Sequence, residues 1–331
     1  MALHILDDYY LAITLLISLG WQALGFVIAY TLQTDTITDF WSALNAIFLA
    51  VFTLACGSTY SPRNVVASVL VVVWAARLGG FQLLRMFKMG RDSRFDQMRS
   101  KPLSLAGFWT IQLVWVWTIT MPVTLLNSPK VSHPALRGAN PSFGNANDVA
   151  GVILFALGWL CESVADVQKY RFNWLSSAPR GAIVDAGLWR YSRRPNYFGE
   201  ICLWWGVWLV AMGNTVGAKG GGAKAALVAS VVSPVLTMVL LMGVSGVPLA
   251  EKPKQQEYFL MSHGPDRVGG EGLEPYGRQR ERDPWQRMKA YRARTSLLVP
   301  LPNGVYRRMP GWIKRSVLLD VSLRGGLFIP C

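Results

Sequence analysis

Seven stretches of the chain are long, apolar and nearly free of charge, and they recur from one end to the other. They cover about 9–32, 40–56, 64–88, 104–126, 149–168, 197–213 and 225–247. Roughly 20 apolar residues let an α-helix cross the hydrocarbon core of a bilayer. In lipid a segment must satisfy its own backbone N–H and C=O groups, so helix is the state these runs predict. The runs lack an amphipathic face, which argues against a large soluble protein with buried helices. Composition agrees. Charged residues make up 16% of the chain and mean hydropathy is +0.28, against about 25% charged in soluble domains. The expected fold is all-α, a polytopic membrane protein of about seven transmembrane helices. Pro234 lies inside the last run and predicts a kink.

The net charge of +14 is placed for a membrane rather than for nucleic acid. Lys88, Arg91, Arg94, Arg99 and Lys101 follow the third run, Lys169 to Arg194 follow the fifth, and a basic tail follows the seventh. The other side receives Asp7, Asp8, Arg63, Lys130, Arg137, Lys219 and Lys224. The positive-inside rule then predicts an outer or lumenal N-terminus and a cytosolic C-terminus. "MALHILDDYY" has neither a basic n-region nor a cleavage site, so the first run is expected to remain as an anchor. Cys56, Cys161, Cys202 and Cys331 lack metal-type spacing and read as small buried hydrophobes. His4, His133 and His263 all fall outside the runs, so no metal site is predicted. Residues 1–302 are expected to form the membrane domain. It includes a Gly-rich connector at 215–224 and a polar cytosolic insertion at 262–284. Residues 303–331 form a basic tail suited to the membrane surface.

Polar groups near or inside apolar runs are costly and point to function. Asp39, Trp41 and Asn45 begin the second run on one helix face, either as a helix cap or as substrate contacts. Arg77 and Arg85 lie eight residues apart in the third run and point the same way. Arg85 suits snorkelling, Arg77 is deeper, and with Arg91 and Arg94 they suit phosphate. Glu162 and Asp166 share a face of the fifth run, with Lys169 and Arg171 at its exit. They suit hydroxyls or the arginines, or form an ion pair for helix packing. In "GLWRYSRRPNYFGE", Arg190, Arg193 and Arg194 precede Pro195, which fits a first helical turn, so the segment reads as an anion site. Asn196 and Glu200 follow on one face. A juxtamembrane basic belt explains Arg193 and Trp204 but has no use for Glu200. Further on, "GVPLAEKPKQQEY" brings Glu251 and "YRARTSLLVPLP" brings Tyr291, Arg292, Arg294 and Thr295. All these groups fall in the cytosolic half, which predicts one large anionic ligand.

The combination of "GLWRYSRRPNYFGE", an aromatic run, "GVPLAEK" and "YRARTSLLVP" resembles the steroid 5-alpha-reductase-like family, over about residues 39–302. Its nearest branch resembles bacterial and fungal members with an "RYxRHPNYFGE" motif. The resemblance implies a seven-helix membrane enzyme that uses NADPH to reduce a carbon–carbon double bond in a steroid-, sterol- or enone-like substrate. It implies cofactor contacts at Arg77, Arg85, Asp166, Asn196, Glu200, Tyr291 and Arg294. Glu162, Lys169, Arg171, Arg190, Arg193 and Arg194 join them as the polar groups read above. Asp39 and Asn45 are the counterparts of substrate-side residues, with Trp41 beside them, and Tyr197 or Asp39 is the expected polarising donor. Two departures stand out. The motif's usual His is Arg194, and the 262–284 insertion is long. The motif's core is shared with isoprenylcysteine carboxyl methyltransferases, which bind S-adenosylmethionine. A methyltransferase and a non-catalytic lipid-binding protein are therefore the rival expectations. The expected location is the endoplasmic reticulum membrane, with the bacterial inner membrane as the alternative.

Overall fold

The computed structural model describes residues 5–33, 38–89, 101–136, 138–175, 182–216, 221–263 and 283–320. All seven apolar runs are helical: α1 (Leu11–Thr31), α2 (Thr38–Gly57), α3 (Pro62–Met89), α4 (Pro102–Asn127), α5 (Ala146–Leu175), α6 (Pro195–Met212) and a broken segment. That segment comprises α7 (Gly221–Ala229), α8 (Val232–Val239), a π-turn over Leu240–Val244, and α9 (Val247–His263). Then come α10 (Pro284–Arg294), α11 (Asn303–Arg308) and α12 (Gly311–Ser316). Among the described residues there is no strand, only isolated bridges Ile5–Asp7 and Ser192–Ser296. Six helical segments are long and apolar enough to cross a membrane, and the protein is an integral membrane protein with transmembrane helices. The run that forms α6 is not one of the six, because its first turn, Pro-Asn-Tyr-Phe-Gly-Glu, is polar.

Local sequence explains where the helices start and break. Proline stands first in α3, α4, α6 and α10, where its fixed φ suits the first turn and its missing N–H costs nothing. The Asp7 carboxylate accepts from the backbone N–H groups of Tyr9, Leu11 and Ala12 and so caps α1. Pro234 cannot donate to the carbonyl one turn back. The helix accordingly breaks between Ala229 and Val232, where the Ser233 N–H donates to Ser230 instead.

The chain forms two compact units: Met1–Ala156 with Cys202–Thr237, and Leu157–Ile201 with Met238–Cys331. In the first, α1, α2, α3 and α4 pack against one another. Trp74 and Trp204 meet edge to face at 4.7 Å, and Gly151 and Gly206 let α5 and α6 touch. A Cβ on Gly206 would lie 2.6 Å from the Gly151 carbonyl. Leu15, Leu16, Leu19 and Leu24 on α1 are exposed, as a lipid-facing surface requires. In the second unit the same contact recurs one heptad away. A Cβ on Gly199 would lie 2.5 Å from the Gly158 carbonyl and 2.7 Å from the Glu162 nitrogen. Tyr258 and Met261 of α9 and Met288 and Tyr291 of α10 form a small core there. Cys56, Cys161 and Cys202 are half-buried rather than buried, and none is bridged. Residues 217–220 of the 215–224 connector, most of the 262–284 insertion, the end of the tail, Arg91, Arg94, Arg99, Arg137 and the Arg85 side chain lie outside the described residues, and residues 221–224 of the connector are the first turn of α7 rather than a loop.

Candidate functional site

The motif Gly187–Glu200 lies within the second unit and is built from its backbone outwards. Gly187 has a φ of 59° and packs on Gln168, whose Oε1 accepts from the Leu188 N–H at 2.9 Å. The Trp189 indole donates to the Ala165 carbonyl at 2.9 Å, so the loop is pinned to α5. The segment after α10 runs alongside. Arg193 N–H donates to Ser296 O, Leu301 N–H donates to Tyr191 O, and the Ser192 hydroxyl donates to Leu298 O at 2.8 Å. The Tyr291 hydroxyl donates to the Trp189 carbonyl at 2.6 Å. Burial pushes the pKa of that phenol up. "YRARTSLLVP" and the motif therefore form one structural piece, and the Tyr291 hydroxyl is committed inside it.

Two of the three motif arginines are buried and paired with carboxylates. Arg193 donates from Nη2 to both oxygens of Asp320 at 2.8 and 2.9 Å, and from Nη1 to Glu251 at 3.2 Å. Arg194 donates from Nε and Nη2 to the other Glu251 oxygen at 3.1 and 2.9 Å. The Tyr306 hydroxyl completes the cluster on Asp320 at 2.5 Å. Burial opposes charge on Arg193, but Glu251 and Asp320 outweigh it and raise its pKa. For Arg292, burial and the neighbouring Arg193 charge lower it. The cluster ties the motif, α9 and the segment after α12 together. Breaking one partner of such a buried pair typically costs about 3–5 kcal/mol.

The other predicted residues of this unit differ in exposure. Arg190 is exposed, with no hydrogen bond or ion pair among the described residues. It lines an open cleft of about 400 Å³ with Asp185, Ala186, Gly187, Arg294 and Asn303. Arg294 donates to Asp185 at 2.6 Å across that cleft, and its Nε has no partner. Asn196 Oδ1 is shut away from solvent and without a partner. Glu200 and Glu162 are buried, Asp166 is half-buried and Arg171 exposed. Lys169 lies 5.1 Å over the Trp189 ring, and Arg194 lies 5.6 Å from the Tyr197 ring centroid.

The remaining predicted residues belong to the first unit. Asp39 stands in the first turn of α2 and accepts from Gln82 of α3 at 2.9 Å. Trp41 and Trp21 each donate their indole N–H to the other's backbone carbonyl, at 2.9 and 3.0 Å. Asn45 is fully buried. Arg77 sits 5.9 Å from the Phe81 ring.

Asp320 and Tyr306 escaped the sequence reading. Their signal was present: Asp320 is the sole acid between 303 and 320, among Arg307, Arg308, Lys314 and Arg315. An isolated acid in a basic segment calls for an internal cation. The heptad glycines Gly151/Gly158 and Gly199/Gly206 were likewise legible as a close helix contact. With this geometry in view, the family match gains meaning. The chain belongs to the family described as protein of unknown function (DUF1295), whose model matches residues 25–261. No curated protein and no solved structure matches the chain.

Proposed function

We propose that the protein is a membrane reductase of the steroid 5-alpha-reductase-like kind. It uses NADPH to saturate a carbon–carbon double bond conjugated to a carbonyl in a lipophilic substrate. The family is related to steroid 5-alpha-reductase-like proteins, which supports the reading. The observation that carries it is the state of the motif. Asn196 Oδ1 is buried without a partner one turn from buried Glu200, and Arg190 at the flank of α6 has no partner among the described residues.

These groups fit a dinucleotide. The Asn196 amide suits a carboxamide or ribose hydroxyl, as do the carboxylates of Glu200 and Asp166. Arg190, Arg171 and Arg294 offer charge to phosphates. Arg193 and Arg194 are poor phosphate ligands, because Glu251 and Asp320 already neutralise them and hold Nη1 and Nη2 of Arg193 and Nε and Nη2 of Arg194. When bound, a reduced nicotinamide supplies hydride. The chain's own part is to orient that group, exclude water, and donate a hydrogen bond to the substrate carbonyl. Tyr197 is the donor candidate in this unit. The reading extends to an endoplasmic reticulum membrane, a lumenal N-terminus and a cytosolic C-terminus.

The test is NADPH binding and oxidation by the purified protein with a panel of enones and sterols. Asn196→Ala and Arg190→Ala should each weaken NADPH binding by roughly tenfold, the size of one lost hydrogen bond. Absence of NADPH binding overturns the reading, and S-adenosylmethionine binding in its place would favour a methyltransferase.

A further inference from the structure

Residues 303–320 carry one acid, Asp320, and four basic residues, Arg307, Arg308, Lys314 and Arg315. The fold turns the acid inward. Asp320 is fully buried against Arg193 and Tyr306, so the outer surface of this segment is left purely cationic. Tyr306 and Leu318 are buried as well, and Lys314 lies 4.5 Å over the Tyr306 ring. Arg307, Arg308 and Arg315 are exposed and make no ion pair among the described residues.

Apolar side chains stand in the open among these arginines. Trp312 is 67% exposed, Val317 63% and Val305 48%. Val305 and Arg308 on α11, and Trp312 and Arg315 on α12, are three residues apart and so share a face of their helices. Helices of six residues do not persist in water alone. These two are held from within by Tyr306 and Asp320, which leaves the outward side chains to serve something else.

The level at which the segment is held says what that is. Within this unit Leu157, Leu160, Val164 and Val167 form an exposed apolar stripe on α5, and the stripe gives way to Lys169 and Arg171. The motif loop is pinned at that transition, by Trp189 to the Ala165 carbonyl and by the Leu188 N–H to Gln168. Asp320 and Tyr306 are fastened to Arg193 of the same loop, and the Leu301 N–H to Tyr191. α11 and α12 are therefore tethered where the lipid-facing surface ends and the basic belt begins.

We propose that α11 and α12 rest on the protein's own bilayer and bind anionic phospholipid headgroups there. Arg307, Arg308 and Arg315 meet the phosphates, and Trp312, Val305 and Val317 enter the boundary between headgroups and acyl chains. The sequence alone suits the tail to a membrane surface. The inward turn of Asp320 adds the lipid class, because it leaves no exposed acid on the segment to repel an anionic headgroup. A zwitterionic surface accepts the tryptophan but gives little to the arginines. A soluble polyanion engages the arginines but leaves the tryptophan and valines in water. This goes beyond the reductase reading and stands without it.

The test is amide hydrogen exchange over 303–318, read by mass spectrometry on the full chain. It compares nanodiscs of neutral phosphatidylcholine with nanodiscs rich in phosphatidylglycerol. Each arginine at an anionic surface contributes roughly fivefold, so exchange should be at least about tenfold slower in the anionic discs, and high salt should remove the difference. The triple variant Arg307→Gln, Arg308→Gln, Arg315→Gln should lose the difference, and the same three positions changed to Lys should keep it. Trp312→Ser should speed exchange in both lipids. The proposal is overturned if exchange is equal in the two lipids, if the glutamine variant keeps the difference, or if Trp312→Ser changes neither rate. It is overturned equally if inorganic phosphate protects the segment as well in neutral discs. Protection seen only in discs that hold two copies of the chain would assign this face to a second copy and overturn it too.

Discussion

Asn127 and Asn45 sit in the same apolar bundle, equally buried, and live opposite lives. Asn127 donates to Thr53 and Ser68 at 3.1 Å each and accepts from Asn64 at 3.0 Å. Nearby, Arg63 holds Asp148 through two bonds of 2.8 and 2.7 Å, and donates to the carbonyls of Pro141 and Ser142. This region is a fastening, in which each polar group is matched by another from a different helix. The Asn45–Gln22 region carries similar side chains with their bonds unmade. Polar residues in a membrane bundle thus divide by what completes them. One kind is completed by the fold, and the other has no partner among the described residues.

Mutations should separate the two regions by size and sign. The largest effect is expected from Arg63→Ala, which strands a buried carboxylate. Destabilisation of about 3–5 kcal/mol should appear as a large Tm drop or loss of monodisperse protein on size-exclusion chromatography. Next comes Asn127→Leu, which takes one acceptor from Asn64 and leaves Thr53 and Ser68 short of a donor. The expected cost is about 1–3 kcal/mol, read by thermal unfolding. Gly57→Ala belongs in the same range, since its Cβ would collide with the Asn127 carbonyl. Asn45→Leu should be neutral or stabilising by up to about 1 kcal/mol. A loss as large as that of Asn127→Leu would erase the distinction.

The smallest effect concerns the second unit, where Tyr306 anchors the arginine cluster. Burial, then the hydrogen bond to Asp320, raise its pKa above the ordinary value of about 10. The folded state keeps this proton where the unfolded chain has lost it. The associated stability is therefore complete below about pH 10 and declines as pH rises beyond it. Ultraviolet titration should show Tyr306 and Tyr291 ionising only after the exposed tyrosines, and Tyr306→Phe should remove one late-titrating phenol.

Much of the fold was legible because it depends on local rules. Apolar length gave the seven helical runs, Pro234 gave the break before α8, and Pro195 gave the start of α6. The site was legible only by type. The sequence marks Arg190, Arg193 and Arg194 as equivalent basic residues, yet Arg190 stands in an open cleft while the other two are spent on Glu251 and Asp320. Asp320 is 127 residues from Arg193, and no periodicity connects positions that far apart.

What the sequence by itself determined is the class of object: an all-helical membrane protein with a polar, arginine-rich motif at the start of one helix. That follows from backbone hydrogen bonding in lipid, which each segment settles alone. Which motif arginine stands unpaired among the described residues, and which asparagine is a fastening and which is left with its bonds unmade, was decided only by tertiary structure. A side chain's chemistry is fixed by its residue type, but whether its hydrogen bonds are already made depends on neighbours that other helices bring.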